Sequence, residues 1–217
     1  MTDIFEEVEE QLRSERYQTL FFRVLPWAIG VGLAALIIAL SYWGWDSWHT
    51  RAANKASEDY AAAMELAPTN PDKAFTRFGD VVKGPSRAYK ALALMQQANI
   101  RLQANKTPEA VKLLDEAAKA APNPVIGDMA RLKSALALMD TAPYAAMEER
   151  LKPLTDEKRP YRAAAIEALA MAKLQAGKAK EARSDFVVLT LMPGAPDGMR
   201  QRAQAALALI DCGTANT

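Results

Sequence analysis

The sequence predicts an all-α chain: a single N-terminal transmembrane helix, then an α-solenoid of about four helix pairs closed by a capping helix. Three observations carry that prediction. Residues 24–45 hold no charged side chain. From residue 46 onward alanine, leucine and methionine recur at helical spacing, with no stretch of alternating strand type. Breakers then cut this region into helix-length pieces, at residues 68–71, 84–85, 105–108, 122–124, 141–143, 153, 177 and 193–196. The organisation is an arm (1–23), a span (24–45) and a helical domain (46–217).

The arm carries six acids against three bases. Asp3 and Glu6 stand at capping-box spacing, and Phe5, Val8 and Leu12 fall on one helical face. Helices that lie on a membrane surface usually carry lysine and arginine on the polar face. This face is acidic, so a solvated cytosolic helix or a small partner-docking element fits better.

The uncharged run is 22 residues long. At 1.5 Å per residue it makes roughly 33 Å of helix, enough for a hydrocarbon core of roughly 30 Å. Pro26 falls in the first turn, where a missing N–H costs little. Trp27 marks one end, and Tyr42, Trp43, Trp45 and Trp48 mark the other, the placement of aromatic rings at headgroup depth. A cleaved signal peptide would have a basic start and a shorter apolar core, so a retained anchor is expected. Arg13, Arg16 and Arg23 precede the run, and Arg51 and Lys55 follow it. Basic flanks favour the cytoplasmic side, and this small bias puts the arm inside and residues 46–217 across the membrane. Ala28 and Gly32 are four apart, as are Ala35 and Ala39. Such a stripe lets helices approach closely, although glycine and alanine are common in membrane helices in any case.

A fixed period runs through the helical domain. Ala74, Ala110, Met147 and Ala182 follow one another at spacings of 36, 37 and 35 residues. Twelve residues before each lies an alanine (Ala62, Ala98, Ala135, Ala170), and four after each a bulky apolar residue (Phe78, Leu114, Leu151, Phe186). These resemble the small and large packing positions of a tetratricopeptide repeat. Gly177 stands where such repeats turn between helices, and Pro122 where they end. The expected pairs are 50–67 with 71–83, 86–104 with 107–120, 125–140 with 143–152, and 160–176 with 178–191. A last helix over about 198–211, capped by Asp197 and stopped before Gly213, would close the stack through Met199, Ala203, Leu207 and Ile210. No repeat carries the family's tryptophan, and Arg101 and Lys173 stand where an aromatic is usual.

Composition narrows the function. The net charge is +1, without the basic excess of a nucleic-acid binder. One cysteine, Cys212, and one histidine, His49, exclude an intrachain disulfide and a four-ligand Cys/His zinc site. No nucleotide-binding, zinc-protease or redox motif is present, so no cofactor and no small-molecule substrate is expected. His49 reads as an interfacial residue, and the pairs Glu148–Glu149 and Asp156–Glu157 as solvated charge. Stacked helix pairs form a concave surface fed by the first helix of each pair. There the register places Met95, Asn99, Leu102, Met129, Leu132, Met139, Glu167, Met171 and Leu174. Methionine suits a surface that accepts varied apolar segments, and it also fills ordinary gaps between helices.

An acidic arm, a span ending in Tyr42, Trp43, Trp45, Trp48 and His49, and alanine-rich helices containing Ser57 to Tyr60 come in a recognisable order. With Tyr89 to Leu94, Leu174 to Lys178 and Glu181 to Arg183, nearly the whole chain resembles the bacterial YfgM-like family, ancillary subunits of the SecYEG translocon. The resemblance implies a bacterial inner-membrane protein with its N-terminus in the cytoplasm and its repeat domain in the periplasm. It also implies association with the translocon, with a PpiD-like periplasmic chaperone and with newly exported proteins, and it brings no active site. The competing expectation is a structural scaffold of another envelope complex, for outer-membrane assembly or division.

Overall fold

The structure is a computed structural model that describes residues 3–215; the side chains of residues 1–26, 28, 29, 49 and 213–217 lie outside the described set. The chain divides into two compact units, Met1–Arg51 and Ala52–Thr217. Helix α1 (Asp3–Leu66) contributes to both.

In the first unit Val31, Leu33, Leu36, Ile37, Ile38 and Leu40 are all exposed, as are Trp27, Tyr42, Trp43 and Trp45. Among the described residues no helix is long and apolar enough to cross a membrane. The predicted span opens at Val24, and residues 24–26, 28 and 29 are not among them. Ala28 of the small-residue stripe, His49 and the apolar face of the arm (Phe5, Val8, Leu12) also lie outside them. Gly32, Ala35 and Ala39 are exposed on α1, and a Cβ at Gly32 would meet nothing within 4 Å.

The second unit continues with α2 (Pro71–Lys83), α3 (Arg87–Gln103), α4 (Thr107–Ala120), α5 (Pro124–Ala137), α6 (Tyr144–Leu151), α7 (Arg162–Gln175), α8 (Ala179–Leu191) and α9 (Asp197–Ala215). A 3₁₀ turn at Lys152–Leu154 extends α6. The breakers seen in the sequence work as starts and stops. Asn70 caps α2 by accepting from the Lys73 N–H at 3.0 Å, and Asn123 caps α5 by accepting from the Ile126 N–H at 3.1 Å. Pro71 and Pro124 follow these caps directly, where proline's fixed φ is already helical.

Two turns inside helix pairs are built alike. After α3 the Lys106 N–H bonds the Arg101 carbonyl and the Asn105 N–H bonds that of Leu102, at 2.8 and 2.9 Å. After α7 the Lys178 N–H bonds Lys173 and the Gly177 N–H bonds Leu174, at 2.9 and 3.0 Å. Both are Schellman closures, which need a residue in the left-handed region. Asn105 (φ 57°) and Gly177 (φ 74°) supply it.

Packing follows the repeat. Each apolar cluster joins one helix pair to the first helix of the next. Ala63, Ala74, Phe78 and Ala93 link α1, α2 and α3. Met95, Ala98, Ala110, Leu114 and Ala130 link α3, α4 and α5. Ala135, Met147, Leu151 and Ala165 link α5, α6 and α7. Ala170, Ala182, Phe186 and Ala203 link α7, α8 and α9. This is quasi-one-dimensional packing, in which each repeat depends on its neighbours alone. Every anchor residue and every bulky partner four positions later is buried. Each large side chain so buried is worth roughly 1.5–3 kcal/mol.

Three expectations need correction. In the first repeat the buried alanine is Ala63, while Ala62 is exposed; Ala61, Ala62 and Ala63 are alike, so composition does not fix which one faces inward. The helix expected over 125–140 ends at Ala137. There the N–H groups of Leu138 and Met139 bond three residues back, at 3.0 and 3.2 Å, and Pro143 biases Ala142 away from helical geometry. The last helix includes Asp197 and runs through Gly213 to Ala215; one glycine costs a helix only about 1 kcal/mol relative to alanine. Arg101 and Lys173, which replace the usual aromatics, are both partnered. The Arg101 guanidinium lies 3.9 Å from the Phe75 ring centroid and pairs with Glu109 at 3.0 Å. Lys173 pairs with Asp185 at 2.7 Å.

Candidate protein-binding groove

The first helices of successive pairs lie side by side, and between α5, α7 and α9 they leave an open groove of about 450 Å³. Its lining is spaced as one helical face should be. Leu132 and Leu136 come from α5, with Met139 and Asp140 from the turn after it. Ala164, Glu167, Ala168, Met171 and Gln175 come from α7, Arg202 and Ala206 from α9, and Phe186 of α8 reaches in from the core. Leu136 is 50 % exposed and Met171 48 %. Half-exposed large apolar side chains beside a buried Leu132, Ala168 and Phe186 make a surface that a partner could cover.

Charge sits at the rim. The Arg202 side chain donates to Glu167 twice, from Nε to Oε1 at 2.7 Å and from Nη2 to Oε2 at 2.9 Å. These bonds, with the Glu167 charge, hold the guanidinium above its ordinary pKa. The Glu167 side chain is only 18 % exposed and that of Arg202 63 %. Asp140 is exposed.

Of the nine residues expected on the concave surface, Leu132, Met139, Glu167 and Met171 line this groove. The other five do not. Met95 is buried in the α3–α4–α5 core, against which Leu102 and Met129 also pack. Leu174 packs on the α7–α8–α9 core. Asn99 is half-buried, donating to Gln96 at 2.9 Å and accepting from Lys133 at 3.4 Å. Leu136, Asp140, Ala164, Ala168, Gln175, Arg202 and Ala206 line it without having been expected there. Leu136 was findable four residues after Leu132, whereas the α9 residues were not, because that helix read as a cap.

A second polar arrangement lies outside the groove. Arg150 of α6 grips Asp115 of α4, with Nη1 to Oδ1 at 2.7 Å and Nη2 to Oδ2 at 3.1 Å. The buried Ser134 of α5 donates to the same Oδ1 at 2.8 Å. Burial pushes the Asp115 carboxyl up, but the hydrogen bonds from Arg150 and Ser134 and the Arg150 charge outweigh it and hold the group below its ordinary value. Asp128, fully buried on α5, lies 3.3 Å from Arg159 and 3.5 Å from Arg131. Both arrangements tie neighbouring elements together.

Antiparallel helix pairs that share their cores, with a groove built from first helices, define an all-α repeat protein of the kind that holds protein partners. The chain belongs to the tetratricopeptide repeat-like domain family, whose model matches residues 22–195. No curated protein and no solved structure matches it.

Proposed function

We propose that this chain is a non-enzymatic, membrane-anchored adaptor whose repeat domain binds other proteins through the α5–α7–α9 groove. The observation that carries the reading is the pair Leu136 and Met171, large apolar side chains left half-exposed in one groove with the buried Leu132, Ala168 and Phe186. An exposed apolar patch rimmed by polar groups is a mark of a protein-binding site.

Residues 24–45 are the anchor in this proposal. Its support is the absence of charge over 22 residues and the exposure of Val31, Leu33, Leu36, Ile37, Ile38 and Leu40, the side chains that would meet lipid. The family match also begins at residue 22 and takes in this run together with the helix pairs. With the arm in the cytoplasm, the repeats lie in the periplasm of a bacterial inner membrane. The narrower resemblance to YfgM-like proteins then makes the Sec translocon, a PpiD-like chaperone and newly exported chains the partners. An envelope scaffold serving outer-membrane assembly or division remains the alternative.

The test is a photo-crosslinking amino acid at position 136 or 171 in cells. Crosslinks to translocon subunits, a periplasmic chaperone or pulse-labelled exported chains support the adaptor reading. Crosslinks confined to division or outer-membrane assembly proteins, persisting after translation is stopped, select the scaffold. No crosslink from either position removes the groove from the function.

A further inference from the structure

We infer that the groove is built for a short apolar protein segment with a lysine or arginine at one end, and that Asp140 receives that cation. The inference rests on the adaptor reading above and adds the chemistry of the occupant.

The dimensions suit a short segment. Leu132 to Asp140 covers about 12 Å of α5 and the turn after it, and Ala164 to Gln175 about 16 Å of α7, at 1.5 Å per residue. An extended chain crosses that length in about four or five residues, at roughly 3.3 Å each. The floor is apolar from end to end: Leu132, Leu136, Met139, Ala168, Met171 and Phe186. Apolar side chains of the guest therefore supply the binding energy.

The rim sets the charge. Three lining residues have acidic or basic side chains, Asp140, Glu167 and Arg202. Arg202 and Glu167 neutralise each other through two hydrogen bonds, which leaves the groove one negative charge, at Asp140. That charge lies two residues beyond the C-cap Leu138 of α5, where the helix presents the negative end of its dipole. Through the antiparallel hairpins α5–α6 and α6–α7, the C-terminus of α7 comes to the same end and brings Gln175. The two lysines near that terminus are already engaged, Lys173 with Asp185 at 2.7 Å and Lys178 with Glu181 at 3.4 Å. A cation on the guest thus meets an exposed carboxylate and two helix C-termini, and a guest carboxylate would be repelled.

The experiment uses the full chain in lipid nanodiscs, with empty nanodiscs as the control. Fluorescent peptides share one core, Ala-Leu-Leu-Met-Ala-Leu, and end in lysine, glutamate or serine, each made in both chain orientations. The lysine peptide in its better orientation should bind about fivefold more tightly than the serine peptide, the most that a solvent-exposed ion pair gives. The glutamate peptide should be the weakest, and the spread should shrink at high salt. Asp140→Asn should erase the lysine preference and leave the serine peptide bound, and Leu136→Lys should weaken the lysine and serine peptides. Equal binding of the three peptides, or a lysine preference that survives Asp140→Asn, overturns the inference. So does a dimer of the chain that Leu136→Lys dissociates, which would assign the groove to a second copy. If no peptide binds while crosslinks from position 136 to a partner persist, this inference fails and the adaptor reading stands.

Discussion

Arg202 on α9 holds Glu167 on α7 through both donors of one guanidinium edge, at 2.7 and 2.9 Å. The contact fixes one wall of the groove and cancels a charge in it. Removing the arginine should do two separable things. Arg202→Ala should raise amide exchange in α9, whose grip on α7 loosens. It should also leave Glu167 unpaired at the rim, so that a lysine-ended peptide binds more tightly at low salt. The Arg202→Ala/Glu167→Gln double variant should loosen α9 in the same way without the gain in peptide binding.

Leu136 and Leu114 separate binding from stability. Leu114 of α4 is fully buried in the core it shares with α3 and α5, and Leu136 is half-exposed in the groove. Leu114→Ala should cost about 2–5 kcal/mol, the transfer term plus the cavity. Leu136→Ala should stay within about 0.5 kcal/mol of the parent and yet weaken the bound partner. Urea unfolding followed by circular dichroism gives the first quantity, and peptide titration the second.

The period was legible because it is carried by size contrast: Ala74, Ala110 and Ala182 beside Phe78, Leu114 and Phe186 stand out against polar neighbours at a fixed distance. Facing was harder wherever size contrast vanished. Ala61, Ala62 and Ala63 give no reason to choose one over another, and the structure buries Ala63. Methionine misled in the same manner. Met95 and Met171 stand in first helices and have the same chemistry, but Met95 is buried and Met171 is half-exposed. The difference comes from what packs above each, namely α4 and α5 over Met95 and open groove over Met171. Arg202 was invisible because its partner lies 35 residues away, close to one repeat, on a helix that sequence alone assigned to capping.

The two Schellman turns make a matched pair of substitutions. Gly177 has φ 74° and open space around the position of a Cβ, so strain alone opposes a side chain there. Gly177→Ala should cost about 1–2 kcal/mol from the left-handed backbone, with Gly177→Asn costing less. Asn105→Gly should be close to neutral, since asparagine already adopts φ 57° there. Thermal melting of the three variants checks the order.

Asp115 sets part of the acid limb of stability. Its carboxyl titrates below the ordinary value of 3.8 in the folded chain, so the unfolded chain takes up this proton first. Its contribution is therefore complete above the ordinary value and is lost as pH falls through the lower folded value. Urea midpoints measured as pH is lowered from neutral should fall less steeply in that window for Asp115→Asn than for the parent, from a lower starting point. Ser134→Ala, which removes one of the hydrogen bonds to Asp115 Oδ1, should move the same limb to higher pH.

Cys212 offers a direct reading of the proposed topology. It is the one cysteine in the chain and lies exposed on α9, so a thiol reagent reports where the repeat domain sits without any fusion or added residue. In bacterial spheroplasts a membrane-impermeant maleimide should modify the chain fully before lysis, and Cys212→Ser should abolish the signal. Modification only after lysis would put α9, and the groove it walls, in the cytosol. The anchor could then stand, but the periplasmic partners could not, and the apolar floor beside Leu136 and Met171 would have to be explained by a cytosolic guest.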